Sequence, residues 1–228
     1  MQPYFFPYIG YFQLMNAVDE FVVYDNIEFS KKGWVNRNRI LVNKKDEYIT
    51  LPLKKDSDYL DIKDRYLAEI WLSERKKMLN RITESYRKSP HFSSAYPIIE
   101  KCFLYEHGNL FNFLINSLTN IKDYLEIQTP FIISSSIRID HSLKSDKKVM
   151  AICKARTASA YLNPIGGVNL YDKSNFGKEG IELHFLKTSG LSYKQFNNEF
   201  IPFLSIIDVM MFNSKETIDG MLSEYSTF

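Results

Sequence analysis

With 228 residues, 45% of them hydrophobic and 25% charged, the chain has the material for one large core, and residues 1–228 are expected to form a single domain. A formal net charge of +2 speaks against a surface built to coat nucleic acid but leaves room for a local basic patch. No run approaches the ~20 apolar residues of a membrane span, and the distant Cys102 and Cys153 make no CxxC pair, so a reduced, cytoplasmic setting is expected.

The opening Met1–Met15 lacks the basic start and small-residue cleavage site of a secretory leader. Pro3 and Pro7 extend or turn the first residues, and after Ile9-Gly10 the spacing of Tyr11, Leu14, Met15 and Val18 predicts a helix. Glu20–Tyr24 (EFVVY) follows as a buried strand ending at Asp25. A polar, basic loop, Asn26–Asn38, leads to two candidate strands, Arg39–Val42 and Tyr48–Leu53. Three helices are expected next. One is capped by Ser73 and runs to about Tyr86, one spans Ser93–Tyr105, and one spans Leu110–Leu125 with the clearest apolar stripe. Strand and helix then alternate: Phe131–Ser134, Asp146–Ala155, Ala158–Leu162, a short helix Asn175–Gly180, Ile181–Leu186, and a helix capped by Ser205. This grammar predicts an α/β fold with one mostly parallel sheet and a helical insertion at roughly 70–126.

Three segments concentrate residue types suited to ligand chemistry. In Gln2–Gln13 a glycine, Gly10, opens a helix whose N–H groups and dipole suit an anion, among Gln2, Tyr4, Tyr8, Tyr11 and Gln13. An aromatic plug for the core explains the same residues as well. In Lys31–Arg39 four cations fall within nine residues. Lys32, Arg37 and Arg39 suit phosphate, Trp34 suits stacking on a base or sugar, and Asn36 and Asn38 suit hydroxyls; the plain reading is a solvated basic loop. Asn163, Gly166 and Gly167 follow a strand, where open α/β sheets bind ligands, with Tyr171 close behind. Asp25, at a strand end, is the best general-base candidate. Asp140-His141 offers an acid and a base side by side, although neighbours in sequence seldom face each other. Asp208 is expected to anchor the last helix. No Walker loop, GxGxxG, HExxH or GxSxG occurs, and the four histidines have no ligand spacing, so no metal site is expected.

The stretches QPYFFPYIGYFQL, DEFVVYDNIEFSKKGWVNRNRI, AICKARTASAYLNPIGGVNLYD and FIPFLSIIDVMMFN together resemble the WbqC-like family over nearly the whole chain. That resemblance implies a role in O-antigen, lipopolysaccharide or other surface-polysaccharide biosynthesis, with glycine or another aminoacyl group transferred to an amino sugar. It also implies a short apolar strand leading into Gln2, which Met1 directly precedes here. A more distant similarity joins Pro7-Tyr8-Ile9-Gly10-Tyr11 to the HxGH turn of nucleotidyltransferases, with Tyr8 and Tyr11 at the histidine positions. It implies a Rossmann-like fold. Tyrosine, a neutral donor at pH 7, is a weaker stabiliser of developing phosphate charge than histidine, which puts the adenylylation chemistry in doubt.

The expected substrate is a small phosphate-bearing molecule, a nucleotide amino sugar. Tyr8, Tyr11, Gln13 and Asp25 line the reacting centre, and Gln2, Tyr4, Gly10, the Lys32–Arg39 segment, Asn163, Gly166, Gly167 and Tyr171 bind the substrate. The donor is an activated acyl group, ATP with Mg²⁺, or a charged tRNA. Nucleotidyl transfer and a non-catalytic scaffold are the alternatives.

Overall fold

The computed structural model describes residues Met1–Phe228 and contains eight α-helices and seven strands. Helix α1 (Ile9–Asn16) is buried at every residue from Ile9 to Met15, as a helix enclosed by other elements must be. It leads to β1 (Phe21–Val23), which pairs in parallel with β4 (Phe131–Ile133). The chain between them forms an antiparallel hairpin, β2 (Arg37–Val42) with β3 (Lys45–Thr50), then α2 (Trp71–Tyr86), α3 (Phe92–Phe103) and α4 (Leu110–Tyr124). Ser73 does not cap α2: the helix begins two residues earlier, and the Ser73 hydroxyl turns back to the Ile70 carbonyl. Asn109 caps α4 by accepting from the Asn112 N–H at 3.1 Å.

The last third runs α5 (Ser145–Ala155), β5 (Ala160–Pro164), α6 (Lys173–Lys178) and β6 (Glu182–Thr188), with β5 and β6 parallel. Ser205 caps α7 (Ile206–Phe212) as the sequence predicts, its Oγ accepting from the Ile207 N–H. After α8 (Lys215–Leu222) comes β7 (Tyr225–Thr227), which the sequence reading misses; it adds antiparallel to β6.

The architecture is mixed α/β, but the strands form three small sheets where one was expected: β1 with β4, β2 with β3, and β5, β6 and β7. The break falls between β1 and β5. Only Met1 reaches into it: its amino group donates to the Val22 carbonyl at 2.6 Å, and its carbonyl accepts from the Tyr24 N–H at 2.9 Å. Those two bonds are the register of a strand parallel to β1, one residue long. Two apolar clusters flank the break. The larger joins α1, the hairpin, α2–α4, α7 and α8. The smaller comprises Val149, Cys153, Phe176, Ile181, Leu183 and Phe185.

The N-terminal turn is fixed from both ends of the chain. Phe6 sits at φ 43°, a left-handed conformation that costs an aromatic residue energy. The Asn38 amide donates to the Phe5 and Phe6 carbonyls at 3.0 and 2.8 Å, and the Ser205 hydroxyl donates to Phe6 at 2.8 Å. The Phe5 N–H reaches the Trp34 carbonyl.

Candidate functional site

Parallel strands of one sheet end on the same edge, and here the carboxyl ends of the parallel pair β1 and β4, together with that of β5 across the break, carry a polar cluster. Asp25 and Asn26 follow β1; Ser134 and Ser135 follow β4. Asp25 is buried, and its Oδ1 accepts from the Ser134 hydroxyl and the Ser135 N–H, both at 2.9 Å. Burial pushes the Asp25 carboxyl up, but these hydrogen bonds outweigh it and leave the group below the usual carboxylate range. The group is therefore an anion at neutral pH and a weak base. The same Ser134 hydroxyl is also within reach of Asn26 Oδ1, so its single proton is shared between the two acceptors, while the Asn26 amide donates to His141 Nδ1 at 2.9 Å; His141 Nε2 lies 3.0 Å from the Ile137 carbonyl. His141 thus faces Asn26, while Asp140 is occupied by the N–H and hydroxyl of Ser142.

Lys148, in the first turns of α5, is 8% exposed. Its Nζ donates to the Asn26 carbonyl at 3.1 Å and lies 5.5 Å from the centre of the Tyr24 ring, and no carboxylate lies within 4.0 Å of it. The ammonium makes this one hydrogen bond within the protein, so an anion at the site could accept further ones from it. Tyr24, Tyr161 and Tyr171 stand together beyond it, and burial raises the pKa of each above its ordinary value. They remain hydroxyl donors throughout the physiological range. The Tyr161 hydroxyl donates to Asn163 Oδ1 at 3.0 Å. Gly167 makes room for that amide: a methyl group at 167 would overlap Asn163 Nδ2. Tyr24, Tyr161 and Asn163 also form one end of a cavity of about 600 Å³ that extends between β1 and β5.

The arrangement offers a recessed cation, a held carboxylate, and neutral donors at the edge of a parallel sheet. A profile of the WbqC-like protein family matches residues 2–220 of this sequence. The chain belongs to that family. An uncharacterized protein of Mycobacterium tuberculosis (strain ATCC 25618 / H37Rv), Rv1507c, is 27% identical over 216 residues, which cover 92% of this chain and 90% of that protein. No solved structure matches.

In this WbqC-like chain the sequence-derived site residues are divided between places. Asp25, Asn163, Gly167 and Tyr171 belong to the cluster just described, and Gly166 borders it with open space around its Cα. Gln2 and Tyr4 are half-buried near the Met1 end of the break, and the Gln2 carbonyl accepts from the Tyr11 hydroxyl. Tyr11 and Gln13 lie inside the protein. Gln13 Nε2 donates to the Met221 and Glu224 carbonyls at 2.8 and 3.0 Å, so it ties α1 to the end of α8. Tyr8 borders a separate cavity of about 90 Å³ with Thr188, Leu191 and Phe203. Gly10 is packed so closely beneath the Tyr8 ring and the Thr188 hydroxyl that a methyl group would overlap both.

The basic segment meets the N-terminal turn through backbone and the Asn38 amide, with its charges elsewhere. Arg37 donates to the Gly33 and Lys32 carbonyls and covers the Tyr48 ring at 5.1 Å. Arg39 pairs with Asp46 at 2.8 Å and covers Trp34 at 5.7 Å. Trp34 stacks on Tyr48, Asn36 donates to the Leu51 carbonyl, and Lys32 is exposed. None of residues 32–39 lines either cavity.

Sequence reasoning singles out the segment that starts at Tyr161 without giving that residue a role, and it missed Lys148, Tyr24, Asn26, Ser134 and Ser135. One signal was available for Lys148. A cation in the first turns of a helix opposes the dipole, so its presence asks for another reason.

Proposed function

We propose that this WbqC-like chain transfers an aminoacyl group, glycine foremost, onto an amino sugar that carries a nucleotide or other phosphate, in surface-polysaccharide (O-antigen) synthesis. The observation that carries the reading is Lys148, a recessed cation without a carboxylate partner beside the carboxyl ends of parallel strands. The substrate phosphate completes it. The sugar amine then attacks the activated acyl carbon, the carbonyl electrons move to oxygen, and donors such as the Tyr171 hydroxyl and the backbone at Gly166 and Gly167 receive that oxyanion. Collapse expels the donor's leaving group, and the amine proton passes to Asp25 or to water. Because Asp25 is a weak base, the rate comes mainly from holding two substrates together.

On this reading the two parallel pairs are parts of a Rossmann-like sheet of the nucleotidyltransferase kind. The chain works in the cytoplasm, where nucleotide sugars are made. Mg²⁺ enters only with ATP. A second reading, nucleotidyl transfer, is favoured by Tyr8 and the tightly packed Gly10 at the start of α1. It releases pyrophosphate.

The test is mass spectrometry of nucleotide amino sugars incubated with the protein and glycine plus ATP, or with charged tRNA. A product heavier by one glycyl residue is expected. Pyrophosphate without that product favours nucleotidyl transfer, and binding without turnover favours a scaffold. Lys148→Met is expected to weaken binding of a uridine-diphosphate amino sugar by about 10- to 100-fold, the worth of a charge-assisted hydrogen bond to phosphate. Equal binding by calorimetry would remove Lys148, and with it this placement of the substrate.

A further inference from the structure

The segment that leaves β5 carries aliphatic side chains into solvent. Ile165, Val168 and Leu170 are 42, 38 and 67% exposed. Residues Ile165–Gly167 form a single 3-10 turn, closed by the Val168 N–H on the Ile165 carbonyl at 3.1 Å, and the Leu170 N–H reaches the Gly167 carbonyl at 2.9 Å. In a 3-10 turn residues three apart stand on one face, so Ile165 and Val168 project together. Gly167 lies inward between them, against Asn163 and Tyr171. With that inner face fixed, the turn keeps its apolar side chains outside.

Cations flank this tip. Tyr171 joins it to the start of α5, where Asp146 in the first turn is near enough to raise the Tyr171 pKa. Arg138, Lys144 and Lys147 on that side are exposed, as is Lys173 just beyond Tyr171, and none of the four lies within 4.0 Å of a carboxylate. At the far end of α5 the pattern is the opposite: Lys154 pairs with Glu179 and Arg156 with Glu20. Residues 138–148 carry four cations, Lys148 included, against Asp140 and Asp146, a net of +2 that equals the net charge of the whole chain. Asp140, Asp146 and the nearby Asp172 each accept from a neighbouring backbone N–H.

An apolar tip with free cations beside it fits an anionic bilayer surface. Aliphatic side chains enter the boundary between headgroups and acyl chains, while the ammonium groups stay at the level of the phosphates. A protein partner fits less well, because three side chains fall far short of the ~800 Å² per partner of a stable interface. No helix is long and apolar enough to cross a membrane, and a contact of this kind needs none.

We propose that the Ile165–Leu170 tip, with Arg138, Lys144, Lys147 and Lys173 beside it, docks this chain on an anionic membrane surface. Tyr171 stands between the tip and Tyr24, over whose ring Lys148 sits. On the reading of Lys148 as the cation for the substrate phosphate, the docked edge is therefore the edge that holds the site, and the acceptor is taken up at the bilayer.

Co-sedimentation of the full chain with sucrose-loaded vesicles tests the docking. The parent is expected to bind phosphatidylcholine vesicles containing about one-third phosphatidylglycerol at least about 10-fold more strongly than phosphatidylcholine alone. Most of that preference should be lost at about 0.5 M salt, where screening confines charge effects to a few ångströms. Combining Ile165→Ser, Val168→Ser and Leu170→Ser, all at exposed positions, should leave the melting temperature near that of the parent and lower binding by about 10-fold or more. Lys144→Gln with Lys147→Gln should lower it by about 10-fold. Leu170→Trp gives a direct readout, an emission blue shift on adding anionic vesicles. Lys148→Met should bind vesicles like the parent, which separates docking from the phosphate site, and failure of aminoacyl transfer leaves every vesicle readout untouched. Equal binding of the parent to both kinds of vesicle would overturn the proposal, as would equal binding of the parent and the triple serine variant to the anionic ones. A dimer in solution that the serine variant loses would also overturn it, by assigning the tip to a second copy of the chain.

Discussion

Gly167 is required by its neighbour and not by its own backbone, since a side chain there would displace the Asn163 amide from the Tyr161 hydroxyl. Gly166, one residue away, has no atom within 4 Å of where its Cβ would lie. The two substitutions should therefore differ. Gly167→Ala is expected to cost about 1–3 kcal/mol of stability and to weaken nucleotide amino sugar binding, while Gly166→Ala leaves melting temperature and binding near those of the parent. Comparable behaviour of the two variants in melting and calorimetry would show that the Asn163 contact does not order the site. The sequence marks both glycines alike because composition and position after a strand are all it displays. The overlap depends on a side chain four residues earlier. Lys148 illustrates the same limit: its place against the helix dipole is legible, but its burial under Asn26 and Tyr24 is a product of β1 meeting α5.

Among the elements, the N-terminal turn and the hairpin form one structural unit, and much of the dense motif Gln2–Gln13 serves it. Phe6 stays in its left-handed conformation because Asn38 and Ser205 hold its carbonyl. Asn38→Ala removes three bonds, two to the Phe5 and Phe6 carbonyls and one from the Arg39 N–H, and leaves buried carbonyls short of partners, for an expected loss of about 2–4 kcal/mol. In a chain of this size that lowers the melting temperature by roughly 5–15 °C. Asn36→Ala, which loses one bond to Leu51, should cost about 1 kcal/mol. Thermal denaturation of the pair checks both, and similar melting would mean that the turn is held by packing alone. Helices with a strong apolar stripe, α4 above all, are legible from spacing because their burial repeats with the helical period. β7 is not, since three residues ending the chain, mostly exposed, have no pattern until β6 offers an edge.

Across the whole molecule, Asp208 ties the parts together. It accepts from Tyr86 on α2, from Tyr193 and from Gln195, and Tyr86 in turn accepts from the Leu41 N–H of the hairpin. Burial, outweighing those hydrogen bonds, pushes its pKa from 3.8 up to about 6. The folded chain therefore binds a proton between about pH 4 and 6 that the unfolded chain has released. Its contribution is full below the ordinary carboxylate value and declines as pH rises through that window, by at most about 3 kcal/mol. Urea denaturation from pH 4 to 7 of the parent and Asp208→Asn should give a stability difference that shifts by that order against the parent. Parallel curves would sink the assignment. The anchoring role of Asp208 is legible in the sequence; its partners are not, because they lie on two other segments, α2 and the stretch from Tyr193 to Gln195. The α/β alternation is legible too, but the division into three sheets turns on one gap between β1 and β5.

The Gln13 amide is bonded to carbonyls 208 and 211 residues further along. While the protein is being synthesised, that amide has no native partner until Met221 has left the ribosome, and not both until Glu224 has. Helix α1 is thus secured late, and the nascent chain must keep one of its most apolar stretches sheltered until residues more than 200 positions further along have been made.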